Sequence, residues 1–112
     1  MAESHINNSE VGTVTKIQNE LVSELTGTVA RTGNIVSLQL DFTMTGGAFS
    51  DWVNCATVSL LPKNFITVMA LSDSTLANAS QVRIRLRPDN GIVQIFYGGA
   101  MNFHANITYL SA

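Results

Sequence analysis

Hydrophobic and polar residues alternate along much of the chain with a period of two, the spacing that sends every second side chain to one face of an extended strand. The cleanest run is Val36, Leu38, Leu40, Phe42 and Met44, interleaved with Ser37, Gln39, Asp41 and Thr43. It predicts a strand with one dry face. Arg31-Thr32-Gly33-Asn34 ahead of it has turn chemistry, so Leu25 to Ala30 is expected to fold back against it as a hairpin. A second hairpin is signalled where Val82, Ile84 and Leu86 alternate with Arg83, Arg85 and Arg87, and Pro88-Asp89-Asn90-Gly91 leads into Ile92 to Tyr97. A turn of two or of four residues leaves the parity the same. Either places Ile84, Leu86, Val93, Ile95 and Tyr97 on one side and Arg83, Arg85, Arg87, Gln94 and Phe96 on the other. Met101, Phe103, Ala105, Ile107 and Tyr109 alternate with Asn102, His104, Asn106 and Thr108, predicting a closing strand.

Between these runs the signals are coarser. Gly46-Gly47 opens a loop carrying Phe49 and Trp52, a strand is expected from about Cys55 to Leu61, and Pro62-Lys63-Asn64 ends it. Phe65 to Leu71 is apolar at nearly every position, which predicts a strand covered on both faces. Ser72 to Ser80 is small and polar, hence a loop. At the start, Met1 to Glu10 reads as a polar lead-in or the cut end of a longer protein. Val11, Val14, Ile17, Leu21 and Leu25 follow the spacing of a short helical seam that Gly27 would stop, whereas Gly12, Thr13, Val14 and Thr15 are poor helix formers that favour extended chain. Both readings stay open. The expected organisation is a lead-in or neck segment at 1–24 followed by a head domain at 25–112. Seven or so short strands without a convincing long helix predict an all-β fold, a small antiparallel β-sandwich or jelly-roll-like barrel.

Composition adds a constraint on the surface. Of 112 residues 46% are hydrophobic and 12% charged, about half the charge of an average soluble domain, near 25%. A surface so poor in charge is expected to be partly covered by another subunit. Six Lys and Arg stand against eight Asp and Glu, a net charge of -2, which gives no basic footprint for nucleic acid. No apolar run reaches the ~18 residues of a membrane span, and Met1-Ala2-Glu3-Ser4-His5 lacks the basic-then-apolar order of a signal peptide. A soluble chain without membrane insertion is the expectation.

The residues that catalysis requires do not come together in the sequence. The two histidines, His5 and His104, sit in the polar start and on the last strand, there is no Gly-x-Ser-x-Gly elbow, and Asp41, Asp51, Asp73 and Asp89 fall at strand-face or turn positions. Cys55 has no second thiol or histidine near it, so it reads as a small buried residue. The chain is therefore expected to be no enzyme and to hold neither cofactor nor metal. A binding surface is the remaining chemistry. Arg83 and Arg85, with Gln94 and Phe96 across the hairpin, offer forked donors beside a flat apolar plate, a mixture that suits a sugar. Trp52 in its loop is the next candidate platform, and His104 on a polar face a possible donor. The competing reading of the arginines is a solvated strand face, or one paired with acids of a neighbouring subunit.

Two segments carry a resemblance: Val58-Ser59-Leu60-Leu61-Pro62-Lys63-Asn64-Phe65, and Val82-Arg83-Ile84-Arg85-Leu86-Arg87-Pro88-Asp89-Asn90-Gly91-Ile92-Val93-Gln94-Ile95-Phe96-Tyr97-Gly98. In their order, and with the late Tyr109, residues 25 to 112 resemble the C-terminal head domain of phage tail-tip receptor-binding proteins of the lactococcal siphophage type. The resemblance implies a homotrimeric β-head at the virion's tail tip or baseplate, contacting other tail proteins and binding host cell-wall saccharide. Some family members read Phe-His-Ile-Asp-Ile on the first strand of this hairpin and carry a Trp on the second, where this chain has Arg83, Arg85 and Ile95. The departure implies a differently charged ligand, phosphate-bearing or acidic. The same residues would also serve a structural virion or baseplate adaptor without glycan binding, or a small bacterial lectin.

Overall fold

A computed structural model describes residues 9–45, 51–72, 82–96 and 102–112. Ten strands follow one another: β1 (Ser9–Val11), β2 (Val14–Lys16), β3 (Val22–Thr32), β4 (Ile35–Met44), β5 (Val53–Val58), β6 (Ile66–Met69), β7 (Leu71–Ser72), β8 (Arg83–Leu86), β9 (Ile92–Phe96) and β10 (Asn102–Leu110). They form two antiparallel sheets, β1-β3-β4-β10-β7 and β2-β5-β9-β8-β6. Among the described residues there is no helix, so the protein is all-β, and its two sheets pack together in a way compatible with a β-sandwich. Each sheet sends its apolar set inward. Leu38, Leu40 and Phe42 of β4 and Phe103, Ala105 and Ile107 of β10 meet Ile84, Leu86, Val93 and Ile95 of the other sheet in one buried cluster. Phe42 stacks on Phe103 with ring centroids 5.4 Å apart.

Both predicted hairpins form. Thr32 pairs with Ile35 across a two-residue turn in which Gly33 has φ 62°, the left-handed conformation glycine adopts without penalty. Leu86 pairs with Val93 and the Arg87 N–H donates to the Ile92 carbonyl at 3.1 Å, leaving Pro88 to Gly91 as a four-residue turn with Gly91 at φ 70°. Gly91 answers a second demand, since a Cβ there would collide with the carbonyl oxygen of Val58.

One reading left open is settled in favour of extended chain, and two expectations about strands are corrected. Residues 11–25 contain no helix: β1 pairs with β3 in one sheet and β2 with β5 in the other, the chain crossing between sheets at Gly12 and Thr13. The spacing by threes and fours arises because two short strands belong to different sheets, and valine and threonine suit both. β3 runs through positions 24 and 25, and residues 9–24 are strands and connections of the same two sheets. The run from Phe65 is not covered on both faces. Ile66 and Val68 pack inward on the core, but the outer face of this sheet is uncovered, so Phe65 and Met69 stay half-exposed, and β6 is also the last strand of its sheet. After Met69 the chain crosses at Ala70 into the other sheet as β7. The strand expected from Cys55 runs instead from Val53 to Val58, where Ser59 bends away and its hydroxyl oxygen accepts the Thr13 N–H at 2.8 Å. The loops at Gly46-Gly47 and Phe49 and the segment from Asp73 to Ser80 lie outside the described residues, as do His5, Tyr97 and Met101.

Candidate functional site

The alternating arginines of β8 all lie on the outer face of the second sheet. Arg83 stands opposite Phe96 and Arg85 opposite Gln94 on β9, and on the other side they face Met69 and Thr67 of β6. A bulge in β5 completes the row: the register steps from Asn54↔Gln94 to Ala56↔Val93, so Cys55 is the extra residue and Asn54 turns outward against Gln94. Gln94 is 8% exposed and sits between two polar neighbours. Its carbonyl oxygen accepts Arg85 Nε–H at 2.7 Å, and its amide donates to Asn54 Oδ1 at 2.8 Å.

Trp52, one residue ahead of β5, is brought to the same face because Val53 pairs with Ile95. Its ring lies 5.2 Å from that of Phe96, and the Arg85 guanidinium carbon sits 4.2 Å above it. Phe65 approaches the same guanidinium at 5.3 Å and that of Arg87 at 6.0 Å. Arg85 is thus held by a hydrogen bond at Nε and by two aromatic rings, cation–π contacts each worth about 0.5–1 kcal/mol at a half-exposed site. Among the described residues its terminal amino groups donate to no partner. Among the described residues ion pairs engage Arg31 with Glu10 and Arg87 with Asp89, at 2.9 and 3.4 Å, and none engages Arg83 or Arg85. A planar fork with its outer edge free is the geometry that binds a carboxylate or phosphate through two parallel hydrogen bonds.

Five of the six residues expected from the sequence, Arg83, Arg85, Gln94, Phe96 and Trp52, therefore share one face. The sixth, His104, is on the opposite side of the core. On β10 it stands opposite Asp41 on the outer face of the first sheet, and it lines a polar hollow of about 380 Å³ with Glu24, Thr26, Asp41, Thr43 and Asn102. Three participants went unseen in the sequence. Asn54 reaches the site through a bulge that no local pattern announces, while Phe65 and Thr67 belong to a run whose apolarity hid its edge position. The roles also differ from a simple aromatic plate. One face of the Trp52 ring is taken by Arg85, which leaves Phe65 as the half-exposed ring beside the arginines.

Elsewhere the chemistry is quiet. Burial pushes the Cys55 thiol up from 9.0 to about 12, and the thiol donates to the Val53 carbonyl at 3.2 Å, so at neutral pH it is protonated and shielded from reaction. Among the described residues no three of His, Cys, Asp and Glu are grouped to hold a metal ion, and no helix is long and apolar enough to cross a membrane. In comparison with known proteins, no protein family, no curated protein and no solved structure matches the chain.

Proposed function

We propose that the chain is the saccharide-recognising head of a phage tail receptor-binding protein, a non-enzymatic adhesion module that works as a homotrimer at the tail tip or baseplate. The order of its segments supports the family. What carries the reading to a ligand is Arg85, fixed on Trp52 and by Gln94 and, among the described residues, engaged in no ion pair. A guanidinium already immobilised loses little further entropy on binding, so its charge-assisted bonds are retained as affinity. The ligand that matches is an acidic or phosphate-bearing cell-wall saccharide: the anion takes the Arg85 fork, with Arg83 beside it, and a sugar face lies against Phe65 or Phe96. The partner is reached from solvent, and no covalent step is involved.

The test is an array of neutral, uronic-acid and phosphorylated glycans probed with the full chain, followed by calorimetry on the best binder. Arg85→Ala is expected to weaken binding by about 1–3 kcal/mol, roughly 5- to 150-fold, with the oligomer intact. Phe96→Ala should lose a similar amount. Binding confined to neutral glycans, or unchanged in Arg85→Ala, overturns the assignment of the ligand. A second reading, an adaptor without glycan binding, is favoured by one observation: a Trp covered by an Arg is also the kind of anchor that dominates protein interfaces. Arg85→Ala and Phe96→Ala that dissociate the assembly, with no glycan bound by the parent chain, would establish it.

A further inference from the structure

The polar row across the second sheet has a direction. Arg85 of β8, Gln94 of β9 and Asn54 of β5 stand side by side in positions fixed by the register. An amide can face its neighbours either way round, but a guanidinium can only donate. Arg85 Nε–H therefore claims the carbonyl oxygen of Gln94, which turns the Gln94 amide nitrogen toward Asn54, and that nitrogen in turn claims Asn54 Oδ1. The polarity set at Arg85 is carried two strands away. It leaves Asn54 Nδ2, a donor, on the side away from Gln94, and Asn54 is exposed where Gln94 is buried. On that side β2 pairs with β5 only from Ala56 to Val58, so Asn54 has no cross-strand partner there. The nearby Asn19 donates to the backbone carbonyl of Asn54 at 3.4 Å, and its own oxygen is already taken by the N–H groups of Leu21 and Val22 at 2.9 and 2.8 Å. Among the described residues Asn54 Nδ2 donates to no partner.

We propose that Asn54 is a specificity-determining residue of this face: it donates to an acyl carbonyl oxygen on the sugar next to the one whose anion takes Arg85. The ligand class is then an acidic saccharide whose amino sugars are acylated. Two strand spacings, about 10 Å, separate Arg85 from Asn54, which exceeds one pyranose ring and puts the second acceptor on the adjoining sugar. Both ends of the row donate. An unacylated amino sugar brings an ammonium, which is also a donor only, and sets it against the Asn54 amide with Arg83 and Arg85 on the same face. An N-acetyl carbonyl brings an acceptor instead. A donor facing a donor costs more than a missing contact, because both groups give up water without gaining a bond. The inference rests on the saccharide reading of this face and adds which saccharide it selects.

The probes are a hyaluronan tetrasaccharide, in which glucuronic acid alternates with N-acetylglucosamine, and the same tetrasaccharide after de-N-acetylation, each titrated calorimetrically into the full chain. The parent is expected to favour the acetylated form about 10-fold or more. In Asn54→Asp one carboxylate oxygen still accepts from Gln94, so the circular dichroism should be unchanged, while the other oxygen offers an acceptor where the parent offers a donor. This variant should lose about 10-fold on the acetylated form and hold or gain on the other. A purely structural role would weaken both alike. A parent that binds the two forms equally overturns the proposal, as does an Asn54→Asp preference equal to the parent's or a parent that binds neither form. In each of these cases the saccharide reading stands if other uronic-acid or phosphorylated glycans bind the parent and are lost in Arg85→Ala. If no glycan binds at all, both readings fall.

Discussion

Gln94 is a buried polar side chain that holds the arginine face together, and replacing it with methionine tests that architecture directly. Gln94→Met keeps the length and most of the volume but removes both the acceptor for Arg85 Nε and the donor to Asn54. A bond to a charged group contributes about 1.5–3 kcal/mol and a neutral one about 0.5–1.5 kcal/mol. Arg85 and Asn54 both reach solvent, so water replaces part of what is lost and methionine gains some apolar burial. The net cost should be about 1–2 kcal/mol, a fall in Tm of about 5–10 °C for a domain near 100 residues. Urea unfolding of the parent, Gln94→Met, Arg85→Met and the double variant isolates the pair, and the coupling should be near 1 kcal/mol because the two share one hydrogen bond. Affinity for an acidic glycan should also fall in Gln94→Met, since Arg85 is then positioned only by its rings. A coupling below about 0.3 kcal/mol, together with an unchanged Tm, would refute the claim that Gln94 fixes Arg85.

The two turn glycines should respond unequally to alanine. Gly33→Ala meets open space and should cost about 1 kcal/mol for its positive φ alone, whereas Gly91→Ala adds a collision with the Val58 carbonyl and should cost 3 kcal/mol or more, roughly, by denaturant titration. Equal costs would contradict the turn geometry. Alkaline pH should destabilise the fold: burial raises the Cys55 thiol from 9.0 and the Tyr109 hydroxyl from 10.0, each to about 12. The unfolded chain then loses these protons first, so stability is full below pH 9 and declines up to pH 12, by about 1.4 kcal/mol per pH unit for each titrating group. Urea midpoints between pH 8 and 11 check this. Cys55→Ala should flatten the decline between pH 9 and 10, and a parent midpoint unchanged from pH 8 to 10 would refute it.

The period-two pattern by itself determined the dry faces of β4, β8, β9 and β10, both hairpin turns, and the common side of Arg83, Arg85, Gln94 and Phe96. Those are properties of one strand or of two strands joined by a short turn, where parity follows from the backbone pleat. Only the tertiary structure decided which strand ends a sheet. Phe65 to Met69 has the composition of a central strand, yet it is an edge, because the supply of neighbours is a property of the whole sheet and not of the segment. The same holds for Val11 to Lys16, whose spacing mimics a helix until two different sheets claim its two halves. The site shows the division most sharply. Arg85 and Gln94 were legible as cross-strand partners, but Trp52 joins them through the pairing of β5 with β9, and Asn54 through a bulge in that pairing. His104 is separated from them because β10 pairs with β4 in the other sheet. Contacts between residues forty positions apart depend on sheet order, and sheet order is settled by how both apolar faces are buried at once, an energy that no local window of sequence contains.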